Sequence, residues 1–413
     1  MTNNDNPQNP MGMNPEDLAA FMKNLQQAMN MMPGGTDSTG VNWQMAMSQA
    51  KETARSGAKS ITDAARKGIH DGVSIGSLWL NSATVISELT SEPKLLSREL
   101  WVADAMPLFQ DLTQPVANRM SAALSEQLTQ NLPPELAGVL GNAGDLMKSV
   151  GGTLFAIQLG QALGKLSGEV LSGGDIGLPL FKDQRAAFVP QNLQEFVEGL
   201  GEETDQAYIY LAIREMAHVR LFKHSKWLRD HVVSQITAYA SEISIDSDRI
   251  SELAESLDPN DTDAIKQAIE SGAFISERTD EQNQALASIE NMLALIEGWV
   301  DVVTEDATRL LPRSGAIAES VRRRRATAGP AELTFGTLIG LELRPRRLRE
   351  ATAMWRAVTD AVGIDRRDSL WDHPDLAPTG EDINNPAALI EKLQGKSPEA
   401  DDFDRALRDL LGD

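Results

Sequence analysis

The sharpest chemical suggestion in this sequence lies in LAIREMAHVRLFKHSKWLR, Leu211 to Arg229, which contains the run Arg214-Glu215-Met216-Ala217-His218. At 100° per residue, Glu215 and His218 share a helix face with Leu211 and Phe222, and Arg214, four before His218, flanks it. In the H-E-x-x-H pattern, two imidazoles at i and i+4 hold a zinc ion. The glutamate between them takes the proton of metal-bound water. Here Arg214 stands where the first imidazole belongs. A guanidinium has no lone pair to offer and keeps its proton. What remains is a base candidate, Glu215, and one ligand candidate, His218.

A catalytic zinc takes three protein ligands plus water. The stretch ALASIENMLALIEGWVDVVTEDA, Ala285 to Ala307, reads as a helix with a buried stripe of Ile289, Met292, Ile296, Val300 and Val303. Glu297 and Asp301 lie four apart on another face. A glutamate from a later helix can complete a zinc shell, with a nearby acid orienting a ligand histidine. Glu297 and Asp301 suit those roles, although such a pair ordinarily lies on a solvated face. His224 follows His218 by six, the offset of the third ligand in H-E-x-x-H-x-x-G-x-x-H, but Leu221 replaces the glycine that turns the chain there. His224 and His231 stay as substitute ligands. Two outcomes follow for Arg214. Either His224, His231 or Asp301 refills the shell, or the guanidinium occupies the metal position and pairs with Glu297, whose carboxylate matches its planar fork. The second needs no rearrangement.

Between Arg309 and Arg349, ten arginines and three acids leave a charge of +7 in a chain whose net charge is −22. Arg322 to Arg325 are consecutive, so on a helix some must face inward or into a groove. Arg322, Arg323, Arg344 and Arg347 are the anion-binding candidates, for a substrate carboxylate or an acidic partner. The alternative is internal neutralisation of the acidic remainder. Nucleic acid is not an expected partner, given the overall charge. Gly72-Val73-Ser74-Ile75-Gly76 matches G-x-S-x-G, but that elbow needs a preceding strand and ITDAARKGIH reads as helix. GQALGKL, from Gly160, only imitates a phosphate loop. His70 and His373 are isolated and read as structural.

The elements that must position these groups are helical. The chain has 413 residues, 41% hydrophobic, and a single core stops growing near 250–300. More than one lobe is therefore expected. The reading is a mainly α, two-lobed fold with at most a small β element. Its parts are a flexible Met/Asn/Pro-rich tail (1–40), an N-terminal helical lobe (41–172), the lobe carrying the site (173–380) and an acidic tail (381–413). The tail contains a candidate amphipathic helix, Asn14 to Met31, whose Met-rich face could dock a protein partner. Breaks are expected at Pro107, at Pro115, at Pro133-Pro134 and over Gly141 to Gly144. Gly160, Gly164 and Gly168 predict a helix packed close against another. Segment 173–190 reads as a connection with a short strand pair. Asp258-Pro259 reads as a helix start, and Thr279 to Gln282 as a capping box opening a helix over 280–310. The absence of cysteine excludes disulfides, thiol nucleophiles and Cys-ligated metals. No signal peptide or membrane span is read, so the expected location is cytoplasmic.

LAIREMAHVRLFKHSKWLR, MLALIEGWVDVV, RRRRATAGPAELTFGTLIGLELRPRRLREA and LWDHPDLAPT together resemble, in order, an actinobacterial family of zincin-like metallopeptidases (type 2), also described simply as hydrolases. The resemblance spans roughly Val41 to Pro378. It implies a helix-rich zincin-like fold and zinc-dependent hydrolysis of a peptide or small amide. A sister branch, associated with deazaflavin-coenzyme biosynthesis, keeps the full H-E-x-x-H. Carried over, Glu215 matches the base, His218 the second zinc ligand and Glu297 the third, with Arg214 the departure. The alternative is a pseudoenzyme: a non-enzymatic helical interaction protein on a zincin scaffold.

Overall fold

Cap residues set the first helices. Asn42 Oδ1 accepts the Met45 amide at 2.9 Å and opens α1 (Trp43–Arg55). Thr62 Oγ1 accepts the Ala65 amide and opens α2 (Asp63–Leu80), as small oxygen-bearing side chains do at N-caps. The computed structural model describes residues 37, 40–131, 143–201, 204–243, 278–326, 336 and 347–395. The expected helix at 14–31, the start at Asp258-Pro259, the Pro133-Pro134 break and Arg344 lie outside those residues. After α2 come strand β1 (Lys94–Leu95) and helices α3 (Arg98–Asn131) and α4 (Ala143–Glu169), then strand β2 (Ala187–Phe188). Helices α5 (Pro190–Glu198), α6 (Thr204–His224), α7 (Lys226–Ser241), α8 (Asp280–Ala307), α9 (Ser314–Ala326) and α10 (Leu348–Ser369) follow. Short helices α11 (Gly380–Asn384) and α12 (Pro386–Leu393) occupy part of the region expected to be an acidic tail. The fold is mainly α with a small β element. Among the described residues no helix is long and apolar enough to cross a membrane.

Three pairings position the site: α2 on α6, α8 across α6, and α10 behind α8. Glycines set the first and third. A Cβ on Gly72 would stand 2.8 Å from the Tyr208 carbonyl oxygen, and one on Gly76 2.8 Å from Ile213 Cγ1. The G-x-S-x-G match is thus a helix–helix contact inside α2. Gly298 of α8 likewise faces the Ala351 backbone of α10. In α4, Gly160 and Gly164 press on the Ala46 and Ala50 carbonyls of α1, as their spacing predicts, whereas Gly168 has room.

Two expectations need correction. Helix α3 runs through Pro107 and Pro115. Pro107 is exposed and Pro115 half-buried, so carbonyls freed by the missing N–H groups can reach water. Their neighbours Val102, Met106, Phe109, Leu112 and Val116 are buried, which opposes a proline penalty of about 3 kcal/mol each. The strand pair also differs. β2 pairs in parallel with β1, Lys94 opposite Ala187 and Leu95 opposite Phe188, and Ser172, just before the connection, bridges Phe188. β1 thus lies in a stretch read as helical. The capping box is present: Thr279 and Gln282 exchange side chain-to-backbone bonds of 2.8 and 3.2 Å.

Candidate functional site: a buried centre holding arginine

Helix α6 is buried almost all round over Ala207 to Phe222, so its polar side chains must find partners inside the protein. Glu215 finds backbone. Its Oε2 accepts the Gly174 amide at 2.8 Å and its Oε1 the Ala187 amide at 3.0 Å. One carboxylate thereby ties α6 to β2 and to the turn after α4. Burial raises the Glu215 carboxyl to about 7, against the lowering effect of those two amides and of Ser172. Burial lowers His218 to about 4; Glu297 pulls it up, while Arg214 and Arg325 push it down. The His218 ring meets Phe222 with centroids 4.9 Å apart. It bonds to the Gly177 backbone, and its Nε2 has no hydrogen-bond partner among the described residues.

The turn 173–177 closes directly on this pair. A Cβ on Gly174 would lie 2.5 Å from His218 Nδ1 and 3.0 Å from Glu215 Oε2. Gly177 has φ +74°, and a Cβ there would lie 2.9 Å from Glu297 Oε1. Glycine is required on both counts. The remaining cavity, about 10 Å³, is lined in part by Ser172, Asp175, Arg214, Glu215 and His218. That is about the size of one water.

Glu297 is not on a solvated face. It is 1% exposed, because the second half of α8 is enclosed by α6 and α10. Arg214 spans the gap between the helices. Its Nη2 donates to Glu297 Oε2 and its Nη1 to Asp301 Oδ1. Helix α9 supplies a second cation: Arg325 Nη1 donates to the same Glu297 Oε2. Burial alone would raise the Glu297 carboxyl, but Arg325, Arg214 and His218 outweigh it and hold it near 2. Burial would lower the Arg214 pKa, but Asp301 and Glu297 raise it, so Arg214 stays charged. Next along α9, Arg324 binds Asp175 of the turn through both carboxylate oxygens. Asp175 Oδ2 also accepts the Leu171 amide at 2.8 Å.

The other sequence candidates lie elsewhere. His224 Nε2 meets Asp372 Oδ1 at 2.7 Å, and His231 packs edge-on to Trp227; neither lines the cavity. Arg322 is half-exposed, with its Nε 4.0 Å from Asp301 Oδ2, and Arg323 pairs with Glu319 at the surface. Arg347 clasps Asn291, Gly380 and Asn384, tying α8 to α11. Sequence reasoning missed Ser172, Gly174, Asp175, Gly177, Arg324 and Arg325 as site residues. The two arginines carried a signal: they lie three and four positions after Val321 and seven after Ile317 and Ala318, all buried on α9. That periodicity places 324 and 325 inward and 322 and 323 outward.

A zinc ion is what the motif implies, and the residues do not fit one. At the first ligand position Arg214 presents donors only. Glu297 Oε2 already receives two guanidinium groups, and Asp301 receives Arg214. Among the described residues, His218 Nε2 and Glu297 Oε1 are buried without a hydrogen-bond partner, two such atoms where a catalytic zinc takes three ligands. Among the described residues no group of three or more His, Asp or Glu could hold a metal.

A family model described as zincin-like metallopeptidase matches residues 41–390. The chain belongs to that family. It is also similar in fold to a crystal structure from Chloroflexus aurantiacus, of a protein provisionally named a hydrolase and described as having a novel fold. The TM-score is 0.58 at 19% identity, over 86% of this chain and 99% of that one. No curated protein matches the chain.

Proposed function

We propose that this chain is a non-catalytic member of its family: a helical interaction protein that keeps the zincin scaffold with a guanidinium at the metal position. The observation that carries this reading is the Arg214 bridge between Glu297 and Asp301. A cation entering there would have to displace a buried, charge-matched arginine, and breaking such a pair costs several kcal/mol. The engagement of both Glu215 oxygens by backbone amides supports the same reading, since it gives that carboxylate a structural task. Contacts to a protein partner are assigned to the Met-rich N-terminal segment and to the outward arginines Arg322 and Arg323.

The competing reading is a zinc-dependent peptidase with Glu215 as general base, His218 and Glu297 as ligands and a peptide or small amide as substrate. Family membership and a Glu215 pKa near 7 favour it. Elemental analysis of protein purified without chelator separates the two. The expected result is far less than one zinc per chain, with a melting temperature unchanged by EDTA. One zinc per chain, lost together with peptide hydrolysis in Glu297→Ala, would falsify the interaction-protein reading.

A further inference from the structure

We propose that Arg325 is a second bar to a divalent cation at this site, independent of Arg214, so that histidine at position 214 alone does not make a zinc centre. The inference rests on the metal-free reading above and assigns a role to a residue outside the helical motif.

Two helices deliver cations to one atom. Arg214 Nη2, from α6, and Arg325 Nη1, from α9, both donate to Glu297 Oε2. Removing Arg214 therefore leaves Glu297 ion-paired through the same oxygen. Arg325 is itself largely buried and acts on His218 as well as on Glu297. It is bonded to the carboxylate whose other oxygen, Glu297 Oε1, lacks a hydrogen-bond partner among the described residues, as does His218 Nε2. A zinc ion drawn to those atoms would meet a fixed positive charge at close range in a poorly solvated site, where like charges repel strongly. The bar lies on a helix that does not depend on it for placement. Ile317, Ala318 and Val321 are buried, and Arg324 holds Asp175 and lies 5.8 Å from the Phe196 ring centroid. An α9 without Arg325 keeps those anchors.

The test compares the wild type, Arg214→His, Arg325→Gln and the double variant, each titrated with zinc chloride by calorimetry and with cobalt chloride by absorption spectroscopy. Circular dichroism and thermal melting check folding. Only the double variant is expected to bind one zinc per chain, roughly 100-fold tighter than either single variant, with a tetrahedral cobalt spectrum. Adding Glu297→Gln to the double variant abolishes that binding. Stoichiometric zinc in Arg214→His alone overturns the proposal. So does a folded double variant that binds no tighter than Arg214→His. If the glutamine double variant does not fold, Arg325→Met in the same background keeps the apolar stem and decides between the same two outcomes. Zinc in the unsubstituted protein would instead refute the metal-free reading, so the two failures are distinguishable.

Discussion

Glu215 and His218 titrate in opposite senses, and each sense has a consequence for stability. The Glu215 pKa is raised from an ordinary 4.5 to about 7, so between those values the folded protein holds a proton that the unfolded chain releases. Its contribution to stability is therefore lost as pH rises from 4.5 to 7. His218 is lowered from 6.5 to about 4, so its contribution is present above 6.5 and lost as pH falls towards 4. Glu215→Gln mimics the protonated acid. Its stability relative to the wild type is expected to improve by about 1–3 kcal/mol between pH 5 and pH 8, read by urea denaturation. A pH-independent difference would mean that Glu215 keeps one protonation state throughout. The chemistry of these two positions was legible in the sequence because a helix period fixes which residues share a face. Their actual partners were not. The backbone amides of Gly174 and Ala187 come from segments 28 to 41 residues away and carry no side-chain signature.

At the scale of elements, the helix contacts read best where glycine spacing announces them. Gly160 and Gly164 give α4 a groove that receives α1. An alanine at Gly164 gains helix propensity of about 1 kcal/mol but would put its Cβ 2.7 Å from the Ala50 carbonyl oxygen. Overpacking of that kind costs about 1–3 kcal/mol, so Gly164→Ala is expected to lower the melting temperature. Gly315→Ala, near the start of α9 with nothing within 4 Å of the new Cβ, is expected to leave it unchanged or raise it slightly. Equal shifts in both variants would show that α1 and α4 yield at the contact. The proline reading of α3 failed for a reason the sequence hides: whether a proline ends a helix depends on which side it faces and how much apolar surface its neighbours bury. β1 was missed because two residues are too few to show an alternation.

For the whole molecule, the least legible feature is a buried charge network outside the motif. Asp368, at the end of α10, accepts the Thr84 hydroxyl and the Val85 amide through one oxygen. Its other oxygen accepts Trp299 Nε1 and Arg367 Nε. Arg367 is 0% exposed and also donates to the Ala83 carbonyl. The loop after α2, the centre of α8 and the end of α10 therefore meet at one carboxylate. RRDSLWDH gives no hint of this, since an Arg-Asp pair near a helix end ordinarily lies at the surface. Asp368→Ala leaves Arg367 buried without its partner and is expected to cost about 3–5 kcal/mol by chemical denaturation. A loss below about 1 kcal/mol, the scale of an exposed pair, would show that these elements hold together without it. A single buried cluster runs through all of them, from Val41 to Leu389.

The turn at 173–177 is stitched down on both sides, by Glu215 beneath and by Arg324 through Asp175 above. The described residues leave about 10 Å³ beside the imidazole, so a ligand larger than a water needs those stitches to part. Entry of any ligand to this centre is therefore governed by how often the protein opens. Its association rate should level off with concentration, with slow onset and a plateau set by the chain's own motion.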